Sequence, residues 1–376
     1  MNVGESITLP RATAVYNDGS TQKYNIAWNM SELNTSAAGT YTVHGTIETK
    51  DYPTNFITNR ADPCMLKYNG KYYFVATRDA GGQTVLNIRV ADTIDGIATA
   101  TDNELYSNGT ALIWAPEIHN IDGKLMIFFA TGNGWNHVQS HVMVLGENRN
   151  ATLASVWAAP VRIMKQDGTN LIENGITLDM TAFKWNNKWY YAWSQRIIDT
   201  RAESGTDYGF ESANIYIAEF DPSDPAKLTS DTSVIAKPVY GWERTTADVD
   251  EGPFTIVNDG KLYMTIATNG TNTSYGIKLL TLTENGNPLN SEDWVTKGYP
   301  ILATAMNIAE PGPGHSSFTV DENGDPVLVY HRGRNGGGRT TTVKNVHFNT
   351  KGEPVLNIPR GEQVKNKDVS IRVTVK

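Results

Sequence analysis

Four carboxylic acids and an imidazole stand at the heads of five similar stretches of this chain. ADPCMLKYNGKYYFVA begins at Ala61, WAPEIHNIDGKLMIFFA at Trp114, LDMTAFKWNNKWYYAWS at Leu178, VDEGPFTIVNDGKLYMTIA at Val249 and GHSSFTVDENGDPVLVYH at Gly314. The groups near their starts are Asp62, Glu117, Asp179, Glu251 and His315. Gathered in one place such groups are costly. Like charges at short range raise at least one pKa, and a low dielectric sharpens the repulsion. Two chemistries use such a cluster. One is metal binding. The other is glycoside hydrolysis, in which one carboxylic acid protonates the leaving oxygen and one carboxylate activates water.

Each stretch reads as a β-hairpin: two apolar strand patterns around a turn such as Asn-Gly or Asp-Gly that accepts positive φ. Helical periodicity is scarce, so the chain is expected to be all-β. The lead residues recur at intervals of 55, 62, 72 and 64 residues. A strand-built repeat of that period predicts a five-bladed β-propeller with ~4 strands per blade, occupying residues 56–366. Blades are related by rotation about one axis, so the five lead residues are expected to converge at one end of it. Glu117 is the exception. It stands 6 residues before its Gly, whereas the others stand 8 or 9 before the matching turn position, which puts it off the ring or one layer behind.

Residues 1–48 read differently. ITLPRATAVYNDGSTQKYNIAWNM and the run Gly39-Thr40-Tyr41-Thr42-Val43 resemble a bacterial immunoglobulin-like module that lacks its first strand or two. Residues 49–55 form a linker, and 367–376 a C-terminal strand or tail. With 40 acidic against 32 basic residues the net charge is −8, which gives no electrostatic footprint for nucleic acid or an anionic membrane. No run approaches the ~20 apolar residues of a membrane span. The single cysteine, Cys64, excludes an intrachain disulfide framework. Nine Trp and 17 Tyr among Asn-, Asp- and Gly-rich loops suit a carbohydrate surface, with Trp114 the foremost stacking platform.

Arg60-Ala61-Asp62-Pro63-Cys64, Ile113-Trp114-Ala115-Pro116-Glu117-Ile118-His119, Leu178-Asp179-Met180-Thr181-Ala182-Phe183, Glu251-Gly252-Pro253 and Gly312-Pro313-Gly314-His315-Ser316-Ser317-Phe318-Thr319 are similar, in order, to glycoside hydrolase family 43. They most resemble its α-L-arabinofuranosidases. The resemblance implies a five-bladed propeller and hydrolysis with inversion. It implies Asp62 as general base, Glu251 as general acid and Asp179 as the acid that orients Glu251 and tunes its pKa. It implies His315 as the axial histidine facing a water-coordinated Ca²⁺; on chemical grounds a neutral imidazole there would help to place such a cation. The family often carries Tyr-His-Ala-Arg after the last hairpin. Here the run is Tyr330-His331-Arg332-Gly333-Arg334, so Arg332 or Arg334 would reach the sugar, with His119 a further substrate contact.

The expectation is a secreted bacterial enzyme, its signal peptide absent from this sequence, working as a monomer on plant cell-wall oligo- and polysaccharide and releasing L-arabinofuranose from arabinan or arabinoxylan. A β-xylosidase or arabinanase of the same family is the alternative among enzymes. A catalytically inactive propeller that binds polysaccharide is the alternative outside them. Asp62 and Glu251 belong to the first and fourth repeats, two steps apart in a five-fold ring, and should therefore face each other with room for sugar and water.

Overall fold

The computed structural model describes residues 1–147, 149–198, 210–306, 309–333, 338–358 and 364–376. It divides into two compact units, residues 52–344 and a unit made of 1–51 with 345–376.

The larger unit contains five antiparallel sheets of four strands each, the fourth extended by the short strand Leu302–Ala303. Their first strands are Arg60–Tyr68, Leu112–Ile121, Gly175–Trp185, Asp250–Asn258 and Gly314–Val320. These touch one another in closed cyclic order, the fifth returning to the first. Four of the sheets open with a two-residue hairpin at Asn69-Gly70, Asp122-Gly123, Asn186-Asn187 or Asp259-Gly260, with positive φ at both positions. That geometry matches the right-handed twist of paired strands and selects Asn, Asp and Gly. Apolar layers fill the spaces between successive sheets. Ile118, Ile127 and Phe129 of the second sheet pack with Cys64, Val75 and Ile88 of the first. Met180, Tyr191 and Trp193 of the third pack with Met126 and Phe128 of the second.

Every first strand carries the same irregularity. Register shifts fall between Ala61 and Cys64, Trp114 and Glu117, Leu178 and Thr181, Glu251 and Phe254, and Gly314 and Ser317. The residue at each bulge is left-handed: Asp62 (φ 50°), Ala115 (45°), Asp179 (56°), Gly252 (55°) and His315 (47°). Four of the five are not glycine. Each such residue costs on the order of 1 kcal/mol or more and persists only where its surroundings fix it. Bulges of this kind re-aim a side chain.

The fifth sheet does not run on to residue 366. Its outer strand is Ile57–Thr58, paired with Thr340–Asn345. Because the N-terminal side of the unit supplies that strand, three strands from the C-terminal side complete the sheet, and the unit ends at 344. Asp368–Val375 is not a free tail. It pairs along its whole length with Gly39–Ile47 inside the smaller unit, whose second sheet joins Ala12–Val15 and Thr21–Tyr24 to His347–Phe348 and Pro354–Val355. The far end of the chain thus adds a strand to the sheet that Gly39–Ile47 belongs to. Among the described residues no helix is long and apolar enough to cross a membrane.

Candidate active site

The bulges determine which residues are equivalent. Asp62, Ala115, Asp179, Gly252 and His315 occupy one position. Glu251 precedes it by one residue and Glu117 follows it by two. The five lead residues therefore do not form one ring: the left-handed residue stands 8 before the second turn residue in the first four strands, and the acid is displaced from it in two of them. Asp62, Asp179, Glu251 and His315 nonetheless line one cavity of about 410 Å³, with Arg196, Arg339, Trp114, Trp135 and Gln83 also on its wall. The volume lies in the usual range for a small-ligand site.

Asp62 is 7% exposed, and its Oδ1 accepts from Arg339 Nη1 at 2.8 Å. Arg339 is fixed in turn by Asp79, which takes Nη2 at 2.9 Å and Nε at 3.1 Å. Burial alone would raise the Asp62 pKa, but Arg339 and His315 hold it well below the usual carboxylate range. The His331 ring contributes differently. Its Nδ1 accepts the Asp62 backbone N–H at 3.0 Å, and burial lowers its pKa to about 4, so it is a neutral neighbour of the carboxylate and not an ion-pair partner.

Asp179 is buried, and its Oδ2 accepts the Gly252 N–H at 3.0 Å. Burial first, with Glu251 and Asp62 adding repulsion against the attraction of His315, raises its pKa to about 7. Glu251 Oε1 accepts from Tyr275 OH at 2.7 Å, while Oε2 pairs with the Arg196 guanidinium, itself 5.5 Å from the Trp135 ring centre. A Cβ at Gly252 would lie 3.0 Å from the His315 ring, so a side chain there would crowd that imidazole.

His315 departs from the expected neutral imidazole. Burial opposes its charge, but Asp62, Asp179, Glu251 and Glu117 outweigh burial and raise its pKa. When protonated, its ring offsets part of the negative charge that the acids bring. Its Nε2 is buried without a hydrogen-bond partner among the described residues.

Trp114 is half-buried on the wall, its Nε1 donating to Gln83 at 2.7 Å and its ring edge-on to Trp135 at 5.7 Å. His119 does not reach the cavity. It lies one layer behind, against Glu117 at 2.8 Å and stacked on Phe254 at 5.7 Å. Burial lowers His119 to about 3 and raises Glu117 to about 8, so the pair is a neutral hydrogen bond near pH 7. Arg332 turns instead to Asn55, and Arg334 lies outside the described residues. The arginine beside Asp62 is Arg339, at the head of the next strand and past a glycine run that conceals it in the sequence. Arg196 and Tyr275, on or beside inner strands of their sheets, carry no sequence signal that separates them from core positions.

The glycosyl hydrolases family 43 model matches residues 52–354. The chain belongs to this family. Residues 1–50 match the bacterial Ig-like domain, group 4. Among relatives of this family-43 chain, alpha-L-arabinofuranosidase B of Pyricularia oryzae is 31% identical over 82% of the chain and 63% of its own length. An extracellular exo-alpha-(1->5)-L-arabinofuranosidase of Streptomyces avermitilis is 30% identical over 81% of the chain and 63% of its own length. The chain thus spans less than two thirds of each of these two relatives. The crystal structure of an alpha-L-arabinofuranosidase from Lactobacillus brevis superposes with a TM-score of 0.71 at 29% identity, covering 84% of this chain and 98% of that one.

Proposed function

We propose that this family-43 protein is an inverting, exo-acting α-L-arabinofuranosidase built on a five-bladed β-propeller. The cyclic contact of five four-stranded sheets supports the propeller. The observation that carries the activity is the pairing of two differently treated carboxyl groups in one cavity. Asp62, of the first sheet, is held ionised by Arg339. Glu251, of the fourth, lies beside Asp179, which retains its proton up to about pH 7.

Asp62 acts as general base. It takes a proton from a water molecule as the water oxygen bonds to the anomeric carbon. The bond from that carbon to the leaving oxygen breaks, and Glu251 donates a proton to the leaving oxygen. Arg196 and Tyr275 satisfy both Glu251 oxygens, so Glu251 can carry the proton it donates only where the Arg196 contact gives way. Asp179 fixes the backbone next to Glu251 through Gly252. Arg339 orients Asp62 and presents its charge to the sugar hydroxyls, and Trp114 and Trp135 wall the cavity.

A hydrated Ca²⁺ fits one feature of the site, the unpartnered His315 Nε2, with Glu117 one layer away. When bound, it would supply positive charge in place of the His315 proton; loss of thermal stability on exhaustive chelation tests for it. Work outside the cell on plant cell-wall polysaccharide agrees with relatives described as extracellular. A panel of p-nitrophenyl glycosides tests the proposal. The α-L-arabinofuranoside is expected to be cleaved fastest; preference for the β-D-xylopyranoside, or cleavage of none, would contradict it.

A further inference from the structure

A second cluster of aromatic side chains lies at the same end of the sheets as the cavity. Each four-stranded sheet begins its first strand at the bulge, so its fourth strand ends back at that end. Residues 237–249, which follow Ser233–Ala236, are therefore at the catalytic end, where Trp242 O accepts from Asn269 Nδ2 of the cavity wall; residues 297–301 bulge from the outer edge of the fourth sheet beside Ile277–Leu279, between Trp294–Thr296 and Leu302–Ala303. The two segments interlock. Trp242 Nε1 donates to Gly298 O at 3.1 Å, and the Tyr240 ring lies over the Gly298 backbone, which lacks a side chain. Tyr240 is 39% exposed and Tyr299 59%.

This ledge is held from beneath by charges that see no solvent. Glu243 Oε2 accepts the backbone N–H groups of Val239 at 2.6 Å and Tyr240 at 2.9 Å. Its other oxygen is 3.1 Å from Lys278 Nζ, which also pairs with Asp250 at 2.5 Å. Lys278 is 1% exposed, and Glu243 and Asp250 are fully buried. Asp250 immediately precedes Glu251, so one buried ion cluster ties the ledge to the strand that carries the candidate acid. Burying three charges is expensive unless the geometry is fixed. Here that geometry keeps exposed rings in place, which lowers the entropy cost of binding on them.

We propose that Tyr240 and Tyr299 form an outlying platform for the polysaccharide chain whose terminal residue enters the cavity. The inference rests on the hydrolase reading of that cavity. The occupant follows from continuity: the ledge loop itself runs on to Ala247 and Val249, which line the cavity wall. Tyr240 stands seven residues before Ala247, so the two lie at most about 25 Å apart. A polymer held in the cavity passes over a surface within a few sugar units, and ring faces complement the C–H faces of sugars.

The test uses the full chain with Tyr240→Ala/Tyr299→Ala. Both side chains are exposed, so the fold is retained, as circular dichroism checks. KM on soluble linear arabinan is expected to rise at least fivefold, while kcat/KM on p-nitrophenyl α-L-arabinofuranoside stays within twofold. In affinity gels containing linear arabinan, Glu251→Gln protein is expected to be retarded, and the same protein with both tyrosines replaced to run freely. Unchanged KM and retardation, or equal losses on polymer and aryl glycoside, would overturn the platform. So would sedimentation showing a wild-type dimer that the double variant dissolves, since a second copy would then cover the ledge. If the wild type cleaves no aryl arabinofuranoside but the tyrosines still govern retardation, the hydrolase reading fails and the platform stands.

Discussion

Asp179 Oδ2 holds the backbone N–H of Gly252 at 3.0 Å, so the acid of the third sheet grips the residue that follows Glu251 in the fourth. The contact depends on the bulges. Asp179 is the left-handed residue of its strand and Gly252 that of the next, which brings two equivalent positions together and leaves Glu251 one step aside. Charge and position are coupled through this one hydrogen bond.

Asp179→Asn should separate the two. Asparagine keeps an acceptor for Gly252 but cannot ionise. The Asp179 pKa is raised from 3.8 to about 7, chiefly by burial. The folded state therefore binds this proton more tightly than the unfolded one. The stability it contributes is complete below about pH 4 and is lost as pH rises through about 7. The variant is expected to lose at least ~10²-fold in kcat/KM, on the scale of acid–base catalysis, yet to melt at higher temperature than wild type at pH 8. Scanning calorimetry at pH 5 and pH 8 checks this; a stability difference that does not grow with pH would contradict it.

Asp62→Asn and Glu251→Gln should each lower activity on arabinan fragments by at least ~10³-fold. On an aryl glycoside with a good leaving group, Glu251→Gln should cost less, because little protonation is needed, while Asp62→Asn should cost as much as before. Equal losses for Glu251→Gln on both substrates would remove its assignment as proton donor.

Arg339→Gln takes away the cation that holds Asp62 ionised against burial. The acidic limb of the kcat/KM profile should move up by at least about one pH unit, the usual effect of losing an adjacent opposite charge. Arg332→Ala, whose parent side chain turns to Asn55, should leave kcat/KM within twofold. A larger effect at Arg332 than at Arg339 would restore the arginine expected from the sequence.

Asp62, Asp179 and His315 were legible because each heads a strand in a period that hairpin turns mark clearly. Glu251 was legible by its motif and Glu117 suspect by its spacing; their counts of 9 and 6 against the 8 of Asp62 and Asp179 carry both offsets, but an alternating pattern does not show that a bulge lies at the reference position. Arg339 comes from beyond a glycine run, where distance along the chain says little about approach to Asp62. Arg196 and Tyr275 occupy positions that alternate like any half-buried strand. The pairing of Asp368–Val375 with Gly39–Ile47 joins the two ends of the chain, and no local pattern encodes a contact of that separation.

Deleting residues 368–376 removes every pairing partner on one side of Gly39–Ile47. The exposed strand edge should make the smaller unit sensitive to proteolysis within residues 1–51, since unpaired edges and lost burial favour local opening. Cleavage of an aryl arabinofuranoside should stay within threefold, because the cavity is lined entirely by residues 62–339. Trypsin digestion read by mass spectrometry, beside the kinetic assay, tests both parts. Intact 1–51 after digestion, or loss of the aryl activity, would contradict this division.

The central claim is that Asp62 delivers water and does not attack the sugar itself. Inverting enzymes separate their carboxyl groups by roughly 6.5–9.5 Å to admit that water, against about 5–5.5 Å where one of them is a nucleophile. Asp62 and Glu251 come from sheets two steps apart in the closed order of five. Proton NMR of a fresh digest of an α-linked arabinofuranoside, recorded before mutarotation, is the direct test. The account predicts β-L-arabinofuranose as the first product. An initial α-anomer, or a glycosyl-enzyme trapped at Asp62, would contradict it.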